Sequence, residues 1–371
     1  MKILHLSAVR SWGGGEKHIE NLCLEMAEHH PEATNIVLCR KGDLFEQSLQ
    51  KQNIRHCTSP VFTNFDFRYA LKIMVVCRKE DIDIIHIHDP KALALAIAAD
   101  KFTNLPPFIF SKKTSFPIKN RKSTLYKYNY PKIRRILCVS EESKKVMSGI
   151  VEEFKLKQIY HGFRPQREKQ LLKPEVIRKT LKIPEGKKII GNIANHTWPK
   201  NLETFLKVAH HLIHKNDRKD VHFVQIGGFD RETPGLQKKL KELRLEEHLN
   251  FYGFLPDASS CLPAFDVLIL TSKSEGLPNV IYEAAFHKIP IVSTNVGGIP
   301  EIVSHMENGL LADAFNAEKL AEQIIFMLEN KETAKTFTEA AHKNLLKNFT
   351  TKQMARETLQ EYKDVLNERR I

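Results

Sequence analysis

Short apolar, β-branched runs recur along this chain in two series, with helical spacing in the gaps between them. In the first half the runs are KILHLSAV (2–9), NIVLCR (35–40), DIIHIHD (83–89), FIFS (108–111) and RILCVS (135–140). In the second half they are IIGNIA (189–194), VHFVQIGG (221–228), LNFYGF (249–254), DVLILTS (266–272) and PIVST (290–294). Between runs, apolar residues return at helical intervals, as at Ile19, Leu22, Cys23 and Met26. Strands that are apolar on both faces need helices on both faces, which is the situation of a parallel sheet. Two such series imply an α/β protein with two doubly wound parallel-sheet domains. The length of 371 residues, at roughly 150 per domain, allows two domains or three.

The charged stretch REKQLLKPEVIRKTLKIPEGKK, following YHGFRP, lacks strand character, so the join is expected around 160–187. This divides the chain into 1–163 and 164–350, followed by a terminal segment 351–371. In that segment Ala355, Thr358, Leu359, Tyr362, Val365 and Leu366 share one helical face, and Thr351 is the expected N-cap.

At 42% hydrophobic and 27% charged residues, the composition excludes a disordered or fibrous chain. Apolar runs such as VLIL at 267–270 are far shorter than the roughly 20 residues that span a membrane. The start, MKILHLS, lacks a sustained apolar stretch and a cleavage site, so no secretory signal is expected. The six cysteines never form C-x-x-C, which leaves zinc and thioredoxin chemistry without support and fits a reducing cytoplasm. The excess of 57 basic over 44 acidic residues, a net charge of +13, favours an anionic partner.

The segment SKSEGLPNVIYEAAFHKIPIVSTNVGGIPEIV (272–303) reads strand end, loop, helix, strand, loop, helix. Pro278 suits a first helical turn. Glu275 then stands in the loop before the helix and Glu283 about one and a half turns into it. Between the two acids, the backbone N–H groups of Gly276, Leu277, Asn279 and Val280 gather at a helix start, which attracts phosphate. A nucleoside diphosphate sugar carries a pyrophosphate between two polyols, and a carboxylate can accept hydrogen bonds from a diol on either side. Taken alone, an E-x7-E pair is also what two ordinary surface glutamates would look like.

Larger patterns accompany this segment. Glu275-Gly276-Leu277-Pro278-Asn279 through Glu283-Ala284, followed by Val296-Gly297-Gly298-Ile299-Pro300-Glu301, resembles the E-x7-E and GG(I/V)PE signature of retaining GT-B glycosyltransferases, group 1 or family 4. Gly13-Gly14-Gly15-Glu16, the DIIHIHD strand (Asp83 to Asp89), ILCVSE (Ile136 to Glu141) and FYGF (Phe251 to Phe254) resemble further landmarks of that family. The resemblance implies a GT-B fold, two Rossmann-like domains facing across a cleft, with the terminal helix crossing back to the first. It implies that Glu283 holds the donor ribose and Glu275 contacts the transferred sugar. Gly276 to Val280 would meet the pyrophosphate, Lys200 would neutralise it, and Phe254 and Leu255 would lie at the nucleobase. It also implies metal-independent transfer with retention of anomeric configuration, without a cofactor, from a UDP-, GDP- or ADP-sugar donor.

Three positions depart from the family's pattern. Asn192 stands where many members have the arginine of G-R, three extra residues precede Lys200, and Lys113 occupies the place of the T-x-H histidine. Which sugar is transferred is left open by these changes.

Other features allow two readings each. Gly13, Gly14 and Gly15 form either a loop that lets an acceptor or diphosphate approach, or a tight turn. They do not make a dinucleotide fingerprint, because His18 fills the place of the third glycine and CRKG lacks the ribose-binding acid. His86 and His88 point to one face of a strand, as core residues or as part of a site. His88 and Asp89, at the strand's carboxyl end, are the better placed for ligand. Residues 111–135 hold nine Lys or Arg, no acid, and interleaved Phe116, Tyr126, Tyr128 and Tyr130. That stretch reads as a solvated basic face or as a patch for an anionic membrane surface. No nucleic-acid-reading motif accompanies it, so nucleic acid is not an expected partner.

The expectation is therefore a glycosyltransferase that uses a nucleotide-sugar donor and a saccharide or lipid-linked saccharide acceptor, in bacterial cell-surface glycan assembly (lipopolysaccharide, capsule or O-antigen). Glu275, Lys200 and His88 are expected to be catalytic. Asn192 joins the donor residues, and Asp89 and Lys113 join the glycines on the acceptor side. The expected location is the cytoplasm, with a peripheral place on the inner face of the membrane if the basic stretch binds it. The alternatives are a nucleotide-sugar epimerase of the same fold and a non-catalytic nucleotide-sugar-binding scaffold.

Overall fold

The computed structural model of the chain describes residues 1–10, 13–62, 66–165 and 174–368. Part of the charged join (166–173) and the end of the terminal segment (369–371) lie outside these residues. The chain divides into two compact units, one of residues 1–164 with 349–371, the other of residues 165–348.

In the first unit the elements run β1 (Lys2–Leu6), α1 (Gly14–His29), β2 (Thr34–Arg40), α2 (Leu44–Lys51), β3 (His56–Ser59), α3 (Phe67–Glu80), β4 (Ile84–Ile87), α4 (Pro90–Asp100), β5 (Phe108–Lys112), α5 (Lys122–Tyr128), β6 (Ile133–Cys138), α6 (Glu141–Lys145) and β7 (Leu156–Gln158). The strands form one parallel sheet in the order β3-β2-β1-β4-β5-β6-β7. Strand order reverses between β1 and β4, and ligands of such sheets collect beyond the carboxyl ends of the strands at that point. The edge strands β3 and β7, only four and three residues long, are additions to the five expected runs.

One face of this sheet packs Leu4, Leu6, Ile85, Ile87, Phe108 and Phe110 under α3 and α4. The other packs Ile3, Ile84, Ile109 and Leu137 under α1 and the terminal helix Thr351–Glu368. The buried face of that helix carries the expected Ala355, Thr358, Leu359, Tyr362 and Val365. Arg135, buried on β6, holds the helix through Glu361 (2.9 Å) and Glu368. The expected cap is displaced by one residue. The Thr350 hydroxyl oxygen accepts the Gln353 N–H, while Thr351 Oγ1 donates to Glu25 Oε2 at 2.7 Å.

The second unit runs α7 (Pro174–Thr180), β8 (Lys188–Ile193), α8 (Leu202–His210), β9 (Val221–Ile226), α9 (Thr233–Glu242), β10 (Leu249–Gly253), β11 (Val267–Leu270), α10 (Asn279–Phe286), β12 (Ile291–Thr294), β13 (Leu310–Ala312), α11 (Ala317–Glu329) and α12 (Lys331–Asn348). Its parallel sheet has the order β10-β9-β8-β11-β12-β13, reversing between β8 and β11. Two Rossmann-like sheets of seven and six strands thus account for both apolar series. Among the described residues no helix is long and apolar enough to cross a membrane.

Candidate active site

In the second unit the loops that follow β8, β11 and β12 meet at the reversal point and are tied together by hydrogen bonds. The Lys273 N–H donates to Pro199 O (2.7 Å), and Thr271 Oγ1 donates to the Lys200 and Asn201 carbonyls (3.2 Å each). Thr294 Oγ1 donates to Ser272 O (2.8 Å), and the Gly298 N–H donates to Glu275 O (3.2 Å). Gly297, at φ +57°, makes the left-handed turn that brings this N–H round. These bonds fix a frame around one carboxylate. Glu275, only 9% exposed, accepts at Oε1 from Lys200 Nζ (2.6 Å) and from Ser272 Oγ (2.6 Å).

Lys200 ends a short 3-10 turn, Trp198–Lys200, and Asn201 adopts the left-handed conformation (φ 49°) before α8 begins. The turn that Lys200 ends delivers its ammonium to Glu275. Gly276, Leu277 and Pro278 lead into α10. Its first residue is Asn279, so Pro278 stands at the cap, φ −76° and ψ 118°, instead of inside the first turn. Asn279 and Val280 supply the opening N–H groups, and Glu283 lies half-buried at the helix's fifth position. The segment therefore presents an ammonium, a hydroxyl, a helix N-terminus and two carboxylates in chain order 200, 272–280 and 283.

Asn192 is placed otherwise than expected. It is buried at the end of β8, with Nδ2 donating to Ile269 O at 2.8 Å. Its amide joins β8 to β11 across the reversal point, and Gln225 Nε2 donates to its Oδ1 at 3.4 Å. Gln225 also holds His196, whose Nε2 lies 2.7 Å from Gln225 Oε1 and whose Nδ1 lies 2.9 Å from Thr233 Oγ1. Burial lowers the His196 pKa, keeping the ring neutral between those partners.

Phe254 is 55% exposed and Leu255 half-buried beyond β10. Gly253, at φ +86°, turns the chain there, and a Cβ on it would lie 3.5 Å from the Phe229 ring, itself 51% exposed. Two exposed aromatic rings thus border the Gly253 turn. Phe229 and Ser272 were not singled out in the sequence. The signals were present in IGGF and SKSEG, a residue just past a strand's carboxyl end and a hydroxyl three positions before an acid. A cavity of about 320 Å³ beside Trp198, Glu203, Lys239 and Lys273 includes neither Glu275 nor Glu283.

In the first unit the expected residues gather at the β1/β4 reversal point. Gly13 is the extended N-cap of α1, and Gly14 and Gly15 are its first helical residues, so the glycines open a helix where a loop was expected. Lys113 Nζ donates to Gly15 O at 2.9 Å. Burial pulls the Lys113 pKa down to about 8, against the attraction of Glu16 and Asp89. Asp89 is buried and fully engaged. Oδ1 accepts the Lys91 and Ala92 N–H groups (2.9 and 2.8 Å), and Oδ2 accepts the Ala8 N–H (2.8 Å). It caps α4 and ties that cap to β1, a placing task where a ligand contact was expected.

His88 Nε2 lies 3.0 Å from His5 Nδ1, and the His88 ring lies 4.0 Å from that of His86. His86 is a satisfied core residue, bonded to Tyr362 Oη (2.6 Å) and Ser111 Oγ (2.8 Å). The Nδ1 atoms of His88 and His18 are buried without a hydrogen-bond partner among the described residues. His18 stacks on His161 at 4.2 Å. Burial, first among the causes, holds the pKa values of His5, His18, His86 and His88 well down. His5 and His161 also escaped the sequence reading. The first pairs with His88 only through strand register, and the second follows the last strand.

The basic stretch 111–135 is not one patch. Lys112, Lys113 and Arg135 turn inward to Thr114, Gly15 and Glu361; Lys112 and Arg135 occupy inward positions of β5 and β6, and Lys113 follows the end of β5. Lys132 bonds Leu105 O at 2.7 Å, while Lys119, Arg121, Lys122 and Arg134 remain exposed. Tyr128 and Tyr130 are buried, and Tyr126 is exposed.

Two family models match the chain, "Glycosyl transferases group 1" over residues 174–344 and "Glycosyltransferase Family 4" over residues 12–167. An N-acetyl-alpha-D-glucosaminyl L-malate synthase of Bacillus anthracis is 23% identical, over 82% of this chain and 80% of its own. A UDP-Gal:alpha-D-GlcNAc-diphosphoundecaprenol alpha-1,3-galactosyltransferase of Escherichia coli is 23% identical over 72% and 71%. Among solved structures, Anabaena HepE in complex with UDP and glucose is similar in fold, with a TM-score of 0.83 at 19% identity, covering 98% of this chain and 100% of the other.

Proposed function

Since this chain belongs to the group 1 glycosyl transferases, enzymes with two Rossmann-like domains of the GT-B type, we propose that it transfers a sugar with retention of configuration from a nucleoside diphosphate sugar to a lipid-linked saccharide of the bacterial cell surface. The observation that carries this reading is the Lys200–Glu275–Ser272 cluster ahead of α10, with Glu283 in the same helix. A pyrophosphate seated at the helix start would meet the Asn279 and Val280 N–H groups and the Lys200 ammonium. Glu283 would accept from the ribose diol and Glu275 from hydroxyls of the sugar.

In the reaction the bond between the anomeric carbon and the phosphate oxygen breaks, and charge grows on the departing diphosphate. Lys200 and the helix N–H groups stabilise that charge from fixed positions. The acceptor hydroxyl attacks from the face that the diphosphate leaves, and its proton passes to a diphosphate oxygen. The cationic task belongs to Lys200, without a metal or other cofactor. The acceptor side is assigned to the first unit, to Lys113, His88 and the Gly13–Gly15 helix start. Asp89 acts there through the backbone it holds.

The curated relatives support the donor and acceptor classes. The name of the Escherichia coli enzyme gives a UDP-sugar donor and a diphospholipid acceptor, and both relatives' names give α-linked products. From an α-linked donor such products require retention. A lipid-linked acceptor would bring the enzyme to the inner face of the membrane.

The reading is tested by incubating the protein with UDP-, GDP- and ADP-sugars and saccharide acceptors and assigning the product's anomeric proton by NMR. Release of nucleoside diphosphate with a product of the donor's configuration is expected. An altered nucleotide sugar would indicate the epimerase, and binding without turnover would indicate the scaffold.

A further inference from the structure

Helix α3 is apolar on two sides, and among the described residues only one of them is covered. Tyr69, Ala70, Ile73, Val76 and Cys77 are buried against the sheet. On the outer side Phe67, Leu71 and Val75 follow at i, i+4 and i+8, exposed by 73%, 56% and 50%. Phe62, just ahead of the helix, is 60% exposed. Isolated surface leucines are ordinary, but a line of three large apolar side chains along one helix is not.

The charges beside this line have one sign. Lys72, Arg78 and Lys79 interleave with it. Two of the acids at the ends of α3 are engaged, and the third, Asp81, is the exposed left-handed C-cap beyond the last turn. Asp66 accepts from Arg68 Nη2 and Nε at 2.7 and 2.9 Å, and Glu80 accepts from Arg55 Nη2 at 2.7 Å. No carboxylate among the described residues lies within ion-pair distance of Lys72, Arg78 or Lys79. Helix α4 packs between α3 and α5, and its half-exposed Ala94 and Ala98 are too small to rise above their neighbours. Beyond it, Arg121, Lys122 and Tyr126 are exposed on and before α5. At the other end, Arg10 reaches the start of α3, donating from Nη2 to Phe62 O at 2.6 Å.

We propose that α3 docks the first unit on an anionic lipid bilayer, with Phe67, Leu71 and Val75 in the acyl boundary and Lys72, Arg78 and Lys79 among the phosphates. A protein partner would be expected to find a pocket for such side chains. Here they stand on a convex helix between long cations that can reach back to headgroups, which suits an interface plane. Cations on α5 extend the same charge across the α3–α4–α5 layer. Helix α3 starts beside the carboxyl edge of the sheet, where Lys113 and His88 lie, so docking would bring that edge near the membrane. This last step rests on the lipid-linked acceptor proposed above; the docking itself does not.

The test is flotation of the full chain with phosphatidylcholine vesicles, with and without phosphatidylglycerol. The unaltered protein is expected to float with the anionic vesicles alone. Phe67→Ser combined with Leu71→Glu should weaken that binding about tenfold or more. Lys72→Gln, Arg78→Gln and Lys79→Gln together should weaken it roughly 100-fold. All five positions lie outside the donor site, so melting temperature and release of nucleoside diphosphate from a nucleotide sugar should be unchanged, which separates failed docking from failed transferase chemistry. The proposal is overturned if the unaltered protein ignores anionic vesicles, binds neutral ones equally, or keeps its binding when α3 is altered.

Discussion

Lys200 Nζ lies 2.6 Å from Glu275 Oε1, so two side chains 75 positions apart in sequence form one charged unit in front of α10. Ser272 Oγ reaches the same oxygen, and the surrounding loops are bonded to one another. Such groups should act together. Lys200→Met is expected to lower turnover about 100- to 1,000-fold, the usual cost of removing one group that stabilises transition-state charge. Glu275→Gln should lower turnover more than donor affinity. The double variant should lose much less than the product of the two single losses. Initial rates of nucleoside diphosphate release measure this directly, and independent, multiplying losses would mean the contact has no catalytic meaning.

Glu283 occupies a different place in the account, as a binding group. Replacing it with alanine removes a charged acceptor from a half-buried helix position without touching the loop frame. Hydrogen bonds to charged groups are worth about 1.5–3 kcal/mol, so the dissociation constant of the nucleoside diphosphate should rise about 10- to 150-fold. Calorimetric titration of the folded variant checks the value. Unchanged affinity would remove Glu283 from the donor site.

Much of this was legible in the sequence because strands and helices leave periodic marks and short motifs name a helix start. All ten apolar runs contain strands of the two sheets. The strands that escaped notice, β3, β7 and β13, have three or four residues and sit at sheet edges, where alternation has no room to show. The proposed site was legible where its residues lie close in the chain, from Glu275 to Glu283. It was less so where side-chain direction decides. Asn192 and Asp89 sit at strand ends, as ligand-binding residues do, yet their polar atoms are spent on Ile269, Ala8, Lys91 and Ala92. The inward turn of Lys112 and Arg135 likewise depends on strand register, which a count of charges does not contain.

Burial of neutral histidines has a consequence for acid stability. His5 and His222 are held down to about 4, and His18, His86 and His88 are lowered as well, all chiefly by loss of solvent. With folded-state pKa values below the ordinary 6.5, the unfolded chain binds more protons between about 4 and 6.5. Stability must therefore fall as pH falls through that window, by about 1.4 kcal/mol per pH unit for each proton excluded. Glu16 and Asp89, raised by burial, oppose this but are outnumbered. Urea midpoints taken across the window should decline steadily towards acid, and a flat profile would contradict the buried cluster.

Tyr362 secures the terminal helix through a single buried bond to His86 Nδ1 at 2.6 Å. Tyr362→Phe keeps the ring packing and leaves that nitrogen without its partner, so stability should drop by about 1–3 kcal/mol. Denaturant titration gives the difference. Donor binding, proposed for the other unit, should not move.

The most direct test of the central claim is a crystal structure of the protein with a bound nucleoside diphosphate. The diphosphate is expected at the start of α10, within hydrogen-bond distance of Lys200 Nζ and the first helix N–H groups, with the ribose hydroxyls on Glu283. A nucleotide seated elsewhere, with the Lys200–Glu275 pair untouched by phosphate or sugar, would contradict it.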